Sequence, residues 1–103
     1  MIKHIVFFNI AAEFDGQSKS ELCSHIKAEL EALVDLIPEL EKIEVGINHP
    51  AAPEGNFDLA LYSEFASMQA LEKYQVHPEH QRVAAFIGKV KTARACVDYQ
   101  TNH

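Results

Sequence analysis

Apolar positions alternate from the start of the chain. Ile2, His4, Val6, Phe8 and Ile10 fall on one side of the alternation, and Lys3, Ile5, Phe7 and Asn9 on the other. That is the period of a β-strand, here with two largely apolar faces, so a central strand covered on both sides is expected over 2–10. A loop follows over 11–17. Ser18-Lys19-Ser20-Glu21 then has the spacing of a capping box. Leu22, Ile26, Leu30, Leu33, Val34 and Ile37 recur behind it at helical intervals, and Pro38 closes the helix. Ile43, Val45 and Ile47 alternate with Lys42, Glu44, Gly46 and Asn48, which predicts a second strand over 40–48. A Pro- and Gly-containing loop over 49–56 leads to a third strand over 57–65. Ser67 can cap a short helix running through Met68 and Leu71 to Tyr74. A further helix runs from His80 to about Val90, and a last strand spans 93–99.

The order of elements is βαββαβ, the ferredoxin-like pattern of a four-stranded antiparallel sheet with its helices on one face, of class α+β. The second face is then left bare. Ile5, Phe7, Ala60, Tyr62 and Cys96 are expected there. An apolar sheet face in water favours association, and two such sheets packed face to face make a homodimer with a barrel-like interior, a dimeric α/β barrel.

Composition narrows the partners. A chain of 103 residues, 48% of them hydrophobic, forms one domain with a real core. A net charge of −6 with no basic run argues against nucleic acid and against an anionic membrane surface. Ile2–Ile10 is too short and too polar to span a bilayer or to act as an export signal. Cys23 and Cys96 lack CxxC spacing, so reduced thiols and a cytoplasmic location are expected. No dinucleotide or phosphate-loop glycine pattern occurs, and no cofactor is expected.

Candidate chemistry concentrates in Tyr74-Gln75-Val76-His77-Pro78-Glu79-His80. Proline suits the first position of a helix and pushes the preceding residue out of helical geometry. His77 is therefore expected at an N-cap and His80 one turn inside, with Tyr74 ending the helix before. Two readings stay open: a junction whose histidines satisfy backbone groups, or an acid/base site with His80 as base and Tyr74 as partner. His4, among apolar neighbours, is either a core histidine with one local hydrogen bond or a histidine facing a cavity. His25 reads as helix-edge and His49 as exposed. His77 and His80 lack a clear third donor, so no metal site is expected.

Taken together, Met1-Ile2-Lys3-His4-Ile5-Val6, Leu36-Ile37-Pro38, Ile43-Glu44-Val45-Gly46, Phe57-Asp58-Leu59-Ala60-Leu61, the Tyr74–His80 stretch and Val97-Asp98-Tyr99 resemble the stress-responsive α/β-barrel family (dimeric α/β barrel, Dabb), in order and across nearly the whole chain. Many members resemble small stress-associated proteins without an assigned reaction. A plant branch, olivetolic acid cyclase, closes polyketides without a cofactor. The resemblance implies catalytic roles for Tyr74 and His80. It implies substrate contacts at His4 and His77, with Val6 and Ile26 beside them, and a small hydrophobic or polyketide-like ligand. Two functions follow as expectations: a homodimeric small-molecule-binding protein, or a cofactor-independent cyclase or lyase acting on an enolisable carbonyl compound. Cofactor-free monooxygenases share the same architecture. His4, Tyr74 and His80 are expected to converge on one pocket between sheet and helices.

Overall fold

The computed structural model describes residues 1–102. Its core is an antiparallel sheet of four strands, β1 (Ile2–Ile10), β4 (Lys42–Ile47), β5 (Leu59–Phe65) and β6 (Lys91–Gln100), in the order β4-β5-β1-β6. Helices α1 (Lys19–Glu31), α2 (Met68–Val76) and α3 (Pro78–Val90) cover one face. This is the expected ferredoxin-like arrangement.

Alternation along β1 and β5 builds the core. Ile2, Val6, Phe8 and Ile10 are buried on β1, and Leu59, Leu61 and Phe65 lie beside them on β5. Leu22, Ile26 and Leu30 of α1, Leu71 of α2, and Val83, Ile87 and Val90 of α3 close over them. The capping box is formed as spaced. The Ser18 hydroxyl accepts from the Glu21 N–H at 3.2 Å, and the Glu21 carboxylate accepts from the Ser18 N–H at 3.0 Å. Such a cap stabilises a helix by about 0.5–2 kcal/mol.

Four details differ from the sequence-based expectation. Residues 11–17 are no plain loop: β2 (Glu13–Phe14) and β3 (Gln17–Ser18) form a small hairpin turned by Asp15 and Gly16, whose φ values are 51° and 80°. Asp-Gly suits a turn with two positive φ angles, but two-residue strands are too short to show alternation. Helix α1 ends at Glu31, and a single 3-10 turn over Ala32–Asp35 carries the chain to Pro38. The second and third strands are shorter than expected, starting at Lys42 and Leu59.

The fourth difference concerns Cys96, which lies on the helix face and not on the open face. In the β1–β6 ladder Val6 pairs with Cys96 and His4 with Asp98, and side chains directly opposite in a ladder share a face. Arg94, Cys96 and Asp98 therefore stand on the helix side. Val97 and Tyr99 stand on the open face with Ile5, Phe7, Ala60 and Tyr62.

The two edge strands are treated differently. On β4, Lys27 of α1 donates to the Val45 carbonyl at 2.5 Å, and Glu31 accepts from the Val45 N–H at 3.0 Å. Two helix side chains thus satisfy the outward backbone groups at the middle of that edge, which blunts it as a template for another strand. Every residue of β6 is exposed.

Candidate functional site

A partly enclosed cavity of about 100 Å³ lies between the helix face of the sheet and α3. Val6 and Phe8 of β1, Leu61 of β5 and Ile87 of α3 make its apolar wall, and His4 and His80 supply its imidazoles. Lys91 and Arg94 of β6 are exposed and mark the end that opens to water. The lining thus grades from apolar and buried to cationic and wet. Among the described residues no carboxylate lines it.

The corner between α2 and α3 sets His80. His77 is the N-cap of α3: its backbone is extended and its Nδ1 accepts from the Glu79 N–H at 3.1 Å. Pro78 follows at the first helical position, where its missing N–H costs nothing. His80 then turns back so that its Nδ1 donates to the Gln75 carbonyl at 3.0 Å. A carbonyl only accepts, so this bond assigns the proton to Nδ1 and leaves Nε2 with a free lone pair. Burial pushes the His80 imidazole below its ordinary pKa; the Gln75 bond opposes this, and the charges of His4, Arg94 and His77 add to the lowering.

Tyr74 backs this histidine. Its ring packs between Phe65, at 4.9 Å between centroids, and His80, at 4.5 Å and tilted by 54°. It is fully buried, and burial pushes its phenol far above the usual value, so the group stays protonated. The hydroxyl, expected as the partner of His80 in an acid/base pair, bonds to neither imidazole and has no partner among the described residues. An orphaned buried hydroxyl costs about 1–3 kcal/mol.

His4 is 4% exposed, in the middle of an apolar strand face. Its Nδ1 is bonded to the Asp98 carboxylate directly across the ladder, and Ser63, opposite on the other side, donates to the His4 carbonyl at 3.3 Å. With Nδ1 turned to Asp98, Nε2 is the nitrogen that the neutral ring of His4 offers as an acceptor.

Of the residues expected at the site, His4, Val6 and His80 line the cavity together. Tyr74 lies behind His80, His77 serves as a helix cap, and Ile26 is packed in the core. Asp98, Lys91 and Arg94 were missed as neighbours of the site. Their signal is the parity of β6, which needs the register to β1 before it can be used. His25 is half-buried, with its ring 4.6 Å from that of Phe86 in the α1–α3 seam. His49 is exposed. Both cysteines are free thiols, Cys23 buried and Cys96 exposed. No helix among the described residues is long and apolar enough to cross a membrane. A wider concavity of about 600 Å³ opens by Phe7, Gly46, His49, Phe57 and Ala60 and shares no lining residue with the cavity of His4 and His80. It reaches the open sheet face, where burial by another sheet would change it, so the smaller cavity is the better candidate site.

Residues 2–101 match the family described as Stress responsive A/B Barrel Domain, Dabb. No curated protein sequence matches the chain. Among solved structures, a dimeric protein of unknown function and ferredoxin-like fold from Bacteroides fragilis NCTC 9343 is 36% identical, with 97% of this chain and 95% of that one covered and a TM-score of 0.85. A dimeric ferredoxin-like protein of unknown function from Thermobifida fusca YX is 26% identical, with 97% and 90% covered and a TM-score of 0.80. The hydroxynitrile lyase from Passiflora edulis is 21% identical, with 99% and 94% covered and a TM-score of 0.78, a likeness of fold alone.

The state of His80 has a measurable consequence. Its folded-state pKa is lowered, so between that value and the unfolded value of about 6.5 the unfolded chain binds more protons. The stability due to the neutral ring is complete above about pH 6.5 and declines as the pH falls towards the folded pKa. In an NMR titration the His80 ring proton should show a midpoint below 6.5. A midpoint at or above that value would mean that the ring is not desolvated as described.

Proposed function

The chain belongs to the stress responsive A/B barrel domain family, and on that premise we propose that it is a homodimer binding a small organic molecule in the cavity of each subunit. The observation that carries this reading is the convergence of two acceptor imidazoles and two cations on a space that side chains do not fill. Such a lining suits a ligand with an apolar body and a carbonyl or carboxylate oxygen directed at Lys91 and Arg94. Size narrows it further. Pockets for drug-sized ligands run to about 300–1,000 Å³, so about 100 Å³ favours a compound of a few carbons over a polyketide-length chain.

A second reading is a cofactor-independent lyase or cyclase, and the state of His80 favours it. A neutral ring with its Nδ1 proton held by Gln75 presents Nε2 as a general base. Taking a proton from the carbon next to a carbonyl would leave an enolate, whose oxygen Lys91 and Arg94 can stabilise from the cavity mouth. Tyr74 is a protonated donor without a partner among the described residues, but it is not on the cavity wall. Its part is to support the ring of His80, or to donate after a shift of the α2–α3 corner. The lyase from Passiflora edulis lends only a precedent that this frame can house such chemistry.

The binding reading is tested by titrating the protein with acetylacetone, a small β-dicarbonyl, and following methyl NMR signals. Shifts are expected at Val6, Leu61 and Ile87, and Ala84→Trp, which places an indole at a residue of α3 that lines the cavity, should abolish them. Shifts confined to Phe7 and Phe57 would defeat the proposal. In the same samples, exchange of the ligand's acidic C–H for deuterium separates the readings. Catalysed exchange that falls by about 10²–10⁴ in His80→Ala marks the enzyme, and binding without catalysed exchange marks the binding protein.

Self-association rests on the open face. Phe7, Val97 and Tyr99 are 37%, 58% and 43% exposed there, too apolar a patch for a lone subunit in water. Covering it with a second copy should bury roughly 1,200–2,000 Å² in total. Sedimentation should find a dimer at micromolar concentration, and Phe7→Asp should shift it to monomer. A monomeric wild-type protein would contradict the proposal.

A further inference from the structure

One cluster on the helix face joins His4 to two residues, Cys96 and Asp98, that neither reading uses. His4 Nδ1, Cys96 Sγ and an Asp98 oxygen lie within 4.8 Å of one another. The sulfur is 3.8 Å from Nδ1 and 3.7 Å from Oδ1. The ladder explains the grouping. Asp98 faces His4 directly, and Cys96, two residues earlier on the same strand, faces Val6 one step along the same side.

We propose that His4, Cys96 and Asp98 form a binding site for a divalent transition-metal ion of zinc type. The geometry is close to what such an ion needs. Tetrahedral zinc, with sulfur at about 2.3 Å and nitrogen or oxygen at about 2.0–2.1 Å, holds its sulfur about 3.5 Å from each other ligand. The two sulfur distances here are a few tenths longer. Nδ1 and the carboxylate oxygen now share a proton. An ion taking that proton's place would separate them to about 3.3 Å, a small change for two side chains on adjacent strands. Thiolate and carboxylate together carry two negative charges, which match a divalent cation with a neutral imidazole as third ligand. Mixed sulfur, nitrogen and oxygen donors suit zinc and its neighbours, whereas magnesium and calcium prefer oxygen alone.

Position supports access. Cys96 is exposed, and all three residues are on the helix side, so a second sheet packed on the open face would leave them free. Arg94, two residues before Cys96 on the same face, is a neighbouring group that opposes a cation. Its exposed side chain can turn to solvent or hold an anion at the open fourth position. Coordination through Nδ1 would also move the His4 proton to Nε2, turning an acceptor at the cavity into a donor. The site does not depend on whether an organic ligand binds, and its test needs none.

The test is titration of the protein with cobalt(II), followed by displacement with zinc. One equivalent per subunit should give visible ligand-field bands of tetrahedral cobalt and a near-ultraviolet thiolate-to-cobalt band, both erased by zinc. Zinc should also protect Cys96 from alkylation. Cys96→Ser, at an exposed position that need not disturb folding, should remove the thiolate band. It should weaken binding by at least the roughly 10–100-fold that losing even a hydrogen-bond partner of a metal ligand costs. Cys23→Ser should leave the spectrum unchanged. The proposal is overturned if the wild-type protein gives no thiolate band, or if Cys96→Ser keeps it.

Discussion

A histidine in the middle of an apolar row is tolerable only if the rest of the fold satisfies it, and that constraint runs through this molecule. His4 interrupts Ile2, Val6, Phe8 and Ile10 on the central strand and is almost fully buried. The carboxylate of Asp98, directly opposite on β6, makes this possible. A slip of one residue would set His4 against Val97 or Tyr99 and turn the polar row of β6 to the other face. The buried imidazole would then lose its partner, at a cost of about 1–3 kcal/mol or more. Once the register is fixed, Arg94 and Cys96 must share the side of His4, and Val97 and Tyr99 must share the open side. The cationic mouth of the cavity and the apolar face beneath the sheet are two results of one pairing.

The second histidine arrives by a different route. His80 owes its place to a corner in which His77 caps α3 and Pro78 starts it. The turn is tight enough for the His80 ring to reach back to the Gln75 carbonyl. Packing against Tyr74 then removes water from one side of the ring. The result is an imidazole with a fixed tautomer, kept neutral by burial, across a small space from His4. Tyr74 completes the support at the expense of its own hydroxyl, which finds no partner among the described residues. A buried orphan beside a neutral imidazole is the kind of local conflict that functional sites retain.

Most of the fold was legible in the sequence because its signals are local. The alternation of 2–10, the capping box at Ser18 and the His77-Pro78 corner each announce an element within a few residues. The four-stranded sheet follows from their order. The site was legible in part. His4 and His80 were visible as polar residues in telling places, and the cap at His77 followed from Pro78. Whatever depended on relations between strands was not. Cys96 was assigned to the wrong face because its parity has no meaning until β6 is set in register with β1. Asp98, Arg94 and Lys91 escaped notice as neighbours of His4 and His80 for the same reason. The Asp15-Gly16 hairpin was missed because two-residue strands leave no periodic trace. The hold of Lys27 and Glu31 on Val45 is a contact across 14 and 18 positions that no spacing rule encodes.

The proposed ligand site is the space between His4 and His80. The most direct measurement is a crystal structure of the protein soaked with a small β-dicarbonyl compound. The expected result is density for the compound in that cavity, with the acidic carbon or an enol hydroxyl within about 2.6–3.2 Å of Nε2 of His80. The contradicting result is a compound seated elsewhere, or a cavity closed by its own side chains with His80 facing no ligand.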